Sequence, residues 1–120
     1  MDKLEQYRQC IQTILTKHGK YKPNHEEIEN ELIFDPVNNH YQLMRVGWNY
    51  LNRVYHSVMH FDIKNGKIWI QQNMTDVDLA AELLEMGVPK EDIVLGLQPP
   101  YKRPYTGYGV TEVPGENSKR

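Results

Sequence analysis

The side chains best suited to metal binding or proton transfer are five histidines, His18, His25, His40, His56 and His60. His56 and His60 stand four residues apart in an alternating segment, which puts them on one strand face about 13 Å apart. A single ion holds its ligands at about 2 Å and cannot bridge that span. Either imidazole would need a partner on a neighbouring strand. His60 and Asp62 share a face about 7 Å apart, while Phe61 between them points the other way. Acid–base work by such a pair needs a nucleophile or an oxyanion device, and none is recognisable. Phosphate-loop, dinucleotide, zinc-protease and serine-hydrolase patterns are absent from the chain. Cys10 sits near an apolar helical stripe with no local cysteine motif, and it reads as a small buried hydrophobe. We therefore expect no catalytic residue, no resident metal and no cofactor.

A different chemistry is written into Pro100–Gly109, PYKRPYTGYG, where aromatic and basic side chains alternate. Tyr101, Tyr105 and Tyr108 with Lys102 and Arg103 have the types that stack on unpaired bases. Tyrosine and arginine are equally favoured at protein–protein interfaces, and that is the reading we prefer.

These residues need elements to carry them. Leu4, Tyr7, Ile11, Ile14, Leu15 and His18 recur at helical spacing and predict a helix over 2–18, stopped at Gly19. Residues 20–30 are polar, carry Pro23 and predict a loop whose acidic run is a solvated face. Four strands follow: 31–35, 41–48, 53–63 and 67–72. Asn65-Gly66 joins the last two as a type I′ hairpin, pairing Ile63 with Ile68 and Phe61 with Ile70. Strict alternation then puts Tyr55, Met59, Phe61, Ile63, Ile68 and Ile70 under the helices. His56, Val58, His60, Asp62, Trp69 and Gln71 fall on the other face, which is half apolar. Thr75 and Asp78 match a capping box ahead of a helix over 76–86 that stops at Gly87. Pro89 suits the start of a second, short helix that ends at Gly96. An extended arm follows from Tyr101. The fold expected is α+β: a four-stranded antiparallel meander, with the long N-terminal helix and a C-terminal helical pair packed on one face. It is one domain over 1–113 with a frayed tail over 114–120.

Composition narrows the class. Fourteen basic and sixteen acidic residues give a net charge of −2, which argues against a general polyanion binder. The single cysteine excludes an internal disulfide and fits a reducing compartment. No apolar run approaches the roughly 20 residues of a membrane span, and the first ten residues are too polar for a secretory signal. A cytoplasmic location is expected.

The segments together resemble the XisI family, the fdxN-element excision controlling factors of cyanobacteria. The resemblance runs over about residues 1–110. It is carried by Ile33-Phe34-Asp35, His40-Tyr41-Gln42-Leu43, Val46-Gly47-Trp48, Arg53-Val54-Tyr55, His60-Phe61-Asp62-Ile63 and Gly66-Lys67-Ile68-Trp69-Ile70-Gln71. Its most distinctive piece is Gly87–Gly96, GVPKEDIVLG, with Pro99, Arg103 and Thr106-Gly107 downstream. The chain departs from the family at Tyr108-Gly109-Val110-Thr111, where members carry a Phe-Ala-Val-Ala-like segment. The resemblance implies a non-catalytic accessory factor in programmed excision of a DNA element, while a separate site-specific recombinase does the strand chemistry. It also implies a XisH-like companion protein. Two readings follow: a module acting through such a protein partner, or a direct DNA-binding factor that shapes the recombination site. The charge balance favours the first and at most weak intrinsic DNA binding. The expected interface comprises His56, Val58, His60, Trp69, Tyr101, Arg103, Tyr105 and Tyr108, and the exposed apolar surface predicts a homo-oligomer.

Overall fold

A computed structural model describes residues 2–23 and 25–110. The expected tail over 114–120 and the last three residues of the expected 1–113 domain lie outside the described residues. Helix α1 spans Lys3–Gly19, and Asp2 caps it by accepting from the Glu5 amide at 2.7 Å. Strands β1 (Ile28–Asp35), β2 (His40–Asn49), β3 (Asn52–Lys64) and β4 (Lys67–Asn73) form the meander. Helix α2 (Leu79–Glu85) follows, and the two-residue strand β5 (Ile93–Val94) closes the sheet beside β4.

The sheet has five strands in sequence order, and the β4–β5 pairing is parallel. The α+β class and the antiparallel meander hold; the four-stranded count and the C-terminal helical pair are corrected. The segment expected as a second helix is a single 3₁₀ turn at Lys90–Asp92, after which the chain extends and pairs Ile93 with Ile68. Ile93 and Val94 are both fully buried, so the sheet edge offers them more burial than a short helix would. The arm is not extended either: Pro100–Tyr105 winds as a 3₁₀ segment, and Gly109 then bridges to Val94. The expected loop over 20–30 gives way to β1 at Ile28, opposite Gly47. Helix α2 starts later than expected because Asp78, not Thr75, caps it at the Ala81 amide. The Thr75 hydroxyl is engaged with Asn73 and the Val77 amide instead.

The core lies between the sheet and the two helices. Tyr7, Ile11, Ile14 and Leu15 of α1 and Leu79, Ala80 and Leu83 of α2 pack on Tyr41, Leu43, Met59, Phe61, Ile63, Ile68 and Ile70. Asn65 and Gly66 have φ of 53° and 75°, the positive pair that a type I′ turn requires.

Two register shifts decide what each sheet face carries. Between β2 and β3, Leu43 pairs with Met59 but Met44 pairs with Ser57, so Val58 is an extra residue. Between β3 and β4, His60 pairs with Gln72 but Phe61 pairs with Ile70, so Gln71 is extra. Each bulge places two successive side chains on one face. Val58 and Met59 both enter the core, and Gln71 and Gln72 both meet the helix-free face.

Candidate functional site

The helix-free face of the sheet collects the polar and aromatic residues that the core has no use for. At one end of it, Asp62 of β3 stands directly opposite His40 of β2. His60 lies two residues along the same face. His40 Nδ1 and His60 Nε2 approach the same carboxylate oxygen, Asp62 Oδ1, at 2.7 and 2.8 Å. The second oxygen, Oδ2, accepts from Gln71 Nε2 at 3.0 Å, and the bulge is what delivers that amide. The two imidazole rings stand edge-on, 6.5 Å apart. Asp62 is buried, His60 is part-buried and His40 is half open to solvent. Burial would raise the Asp62 carboxyl, but hydrogen bonds from His40, His60 and Gln71 outweigh it and hold the group below the ordinary aspartate value.

Trp69 sits beside this cluster, opposite Asp62 on β4. It is buried by the C-terminal segment, which crosses the face here. The Arg103 guanidinium lies 5.1 Å from its ring centre and the Lys64 ammonium 4.3 Å. Arg103 is itself fixed, donating to the Gln98 and Gly96 carbonyls. Glycine at residue 96 leaves room for this crossing: a Cβ there would stand 2.4 Å from Gln71 Oε1 and 3.0 Å from the Trp69 ring, so the Gln71 amide would have to give way. The Trp69 indole nitrogen is buried and has no hydrogen-bond partner among the described residues.

The other end of the face is open. Ile33, Trp48 and Tyr55 are exposed, and Met44 and Val46 lie between them in the register. The Arg53 guanidinium bridges the two rings, 5.4 Å from that of Trp48 and 5.7 Å from that of Tyr55.

The expected interface residues do not fall together. His60 and Trp69 lie on the helix-free face as expected. Val58 is 2% exposed and belongs to the core, a correction caused by the β3 bulge. The same bulge moves His56 to the helix side, opposite Arg45, and turns Tyr55 outward to 65% exposure. Tyr101 and Tyr105 are open to solvent. Arg103 is committed to Trp69 and the backbone, and Tyr108 packs against the core beneath Lys90. Sequence reasoning missed His40 because its place beside Asp62 depends on pairing across β2 and β3. Tyr55 was missed because strict alternation across 53–63 hides the extra residue, and Trp48 because its face is set by pairing with Arg53 across the sheet.

Comparison with known proteins agrees with this architecture. The family model described as XisI protein matches residues 1–110. A crystal structure of a XisI-like protein from Anabaena variabilis is 55% identical, covers 90% of this chain and 99% of its own, and superposes with a TM-score of 0.87. The crystal structure of the fdxN element excision controlling factor XisI from Anabaena variabilis is 34% identical. It covers 92% of this chain and 100% of its own, with a TM-score of 0.82. Curated proteins give no match.

Proposed function

The chain belongs to the XisI family, and from that premise we propose a non-catalytic accessory factor that controls excision of an fdxN-type DNA element through a protein partner. The family and its neighbour described as an excision controlling factor support the general role. The observation that carries the partner-mediated reading is the open patch of Ile33, Trp48 and Tyr55 around Arg53, at the end of the sheet face that no α-helix among the described residues covers. Aromatic and arginine side chains in that arrangement are typical of protein contact surfaces. A XisH-like companion, with the recombinase beyond it, is the partner class we assign to this surface. Direct DNA binding has less behind it. Net charge is −2, and Arg103, one of the two basic residues of the C-terminal segment considered for base stacking, is already spent on Trp69 and two carbonyls.

The test is a titration of purified protein against element-border duplex at physiological salt, with a scrambled duplex as control. Weak binding that does not distinguish the two duplexes is expected, together with co-purification of a companion protein that survives nuclease treatment. Site-selective nanomolar binding by the chain alone would replace this reading with the DNA-binding one. No helix among the described residues is long and apolar enough to cross a membrane.

A further inference from the structure

We propose that His40, His60 and Asp62 form a binding site for one first-row divalent metal ion of the zinc class. The inference is independent of the excision role and rests on geometry. His40 Nδ1, His60 Nε2 and an Asp62 oxygen all lie within 4.8 Å of one another. Zinc holds imidazole nitrogen and carboxylate oxygen at about 2.0–2.2 Å, so neighbouring ligand atoms stand about 3–3.5 Å apart around it. The two nitrogens now stand 2.7 and 2.8 Å from Asp62 Oδ1. Widening those two separations by about half an ångström, with the two nitrogens, which lie within 4.8 Å of each other, brought to a like spacing, admits the ion.

The donor set also matches. Two imidazoles and one carboxylate suit zinc, nickel, cobalt and ferrous ions, and they disfavour magnesium and calcium, which prefer all-oxygen shells. An ionised carboxylate only accepts, so in the metal-free protein both rings donate to Oδ1. Metal binding replaces those two hydrogen bonds. Each neutral ring shifts its proton to its other nitrogen, Nε2 in His40 and Nδ1 in His60, and no net proton is gained or lost. The support around the ligands is already in place. Gln71 holds Asp62 Oδ2 and fixes the carboxylate's orientation, and Gly96 allows the chain to cross close above Gln71. The half-open side of His40 leaves room for water or a partner's side chain to complete the coordination.

The experiment uses the full chain with no affinity tag, above neutral pH where an ordinary imidazole is uncharged. Zinc is titrated by calorimetry, and cobalt is titrated while its visible absorption is followed. One saturable equivalent is expected, and bound cobalt should show the intense bands of a low-coordinate nitrogen–oxygen site. His40→Ala and His60→Gln should each weaken zinc binding at least about 10-fold, and Gln71→Ala about 10-fold through the freed carboxylate. His25→Ala and His56→Ala should leave it unchanged. Absence of saturable binding to the native chain would overturn the proposal and leave the cluster as a hydrogen-bonded polar support. So would binding that survives His40→Ala in a protein whose circular dichroism spectrum is native. The cobalt spectrum of the native chain decides the matter even where a variant fails to fold.

Discussion

Tyr7, Lys3 and Asp92 join the first helix to the segment before β5. The Tyr7 hydroxyl donates to Asp92 Oδ2, and the Lys3 ammonium stands 2.8 Å from the same oxygen. A parallel arrangement ties α1 to α2, where Lys17 and His18 both reach Glu82 at 2.8 and 2.9 Å. Burial alone would raise both carboxyls. The hydrogen bonds and charges of Lys3 and Tyr7, and of Lys17 and His18, prevail and hold Asp92 and Glu82 below their ordinary values. A carboxyl depressed in the folded state adds stability that is complete above the unfolded value, near pH 4, and is lost as pH falls through the folded value. Urea denaturation should therefore show constant stability through mildly acidic pH and a decline below about pH 4, blunted in Asp92→Asn. Tyr7→Phe should cost about 1–2 kcal/mol at neutral pH by removing one donor from a buried carboxylate. An unchanged denaturation midpoint would show that Lys3 and water satisfy Asp92 alone.

At the scale of elements, the two bulges set the faces. Because Val58 is an extra residue in β3, Val58→Ala removes two buried methyl groups and should cost about 2 kcal/mol. Tyr55→Ala, on the open face, should change folding stability by no more than about 0.5 kcal/mol. An unbroken alternation demands the reverse order, so chemical denaturation of the two variants discriminates. Gly66→Val should cost about 1–2 kcal/mol, since a β-branched residue at φ 75° is strained even in open space. An unaltered melting temperature would contradict that. The hairpin was legible because Asn65-Gly66 is a local demand of the backbone. The α1 stripe was legible because its period of 3.6 is repeated over about four turns of chain. The bulges were not legible, because one extra residue leaves no mark in composition. Nor was β5, since two residues carry no period and their pairing comes from across the sheet. The His40–Asp62–His60 cluster depends on β2–β3 register, so only half of it could be read from the order of residues.

At the scale of the whole molecule, the uncovered face argues for self-association as well as partner contact. Trp48 and Tyr55 are 47% and 65% exposed, and Tyr101 and Tyr105 add aromatic surface beyond the sheet. The simplest closed arrangement is a two-fold dimer. Light scattering at micromolar concentration should return twice the 14.2 kDa chain mass, and Trp48→Asp should return the single-chain value with folding intact. A native protein at 14.2 kDa would refute the dimer. Tyr105→Ser, by contrast, should leave stability unchanged and affect only association, because that ring is 88% exposed.

The bond between Tyr7 and Asp92 spans 85 positions of the chain. During synthesis at about 5–20 residues per second, the apolar stripe of α1 leaves the ribosome on the order of 4–15 s before β5 does. The β1–β4 meander can zip locally in that interval and offers α1 most of its docking surface, but the Tyr7 bond to Asp92 closes only when the segment before β5 arrives. The last anchor of α1 therefore forms seconds after the helix itself, so the order of synthesis separates the packing of its apolar stripe from the closing of its buried polar bond.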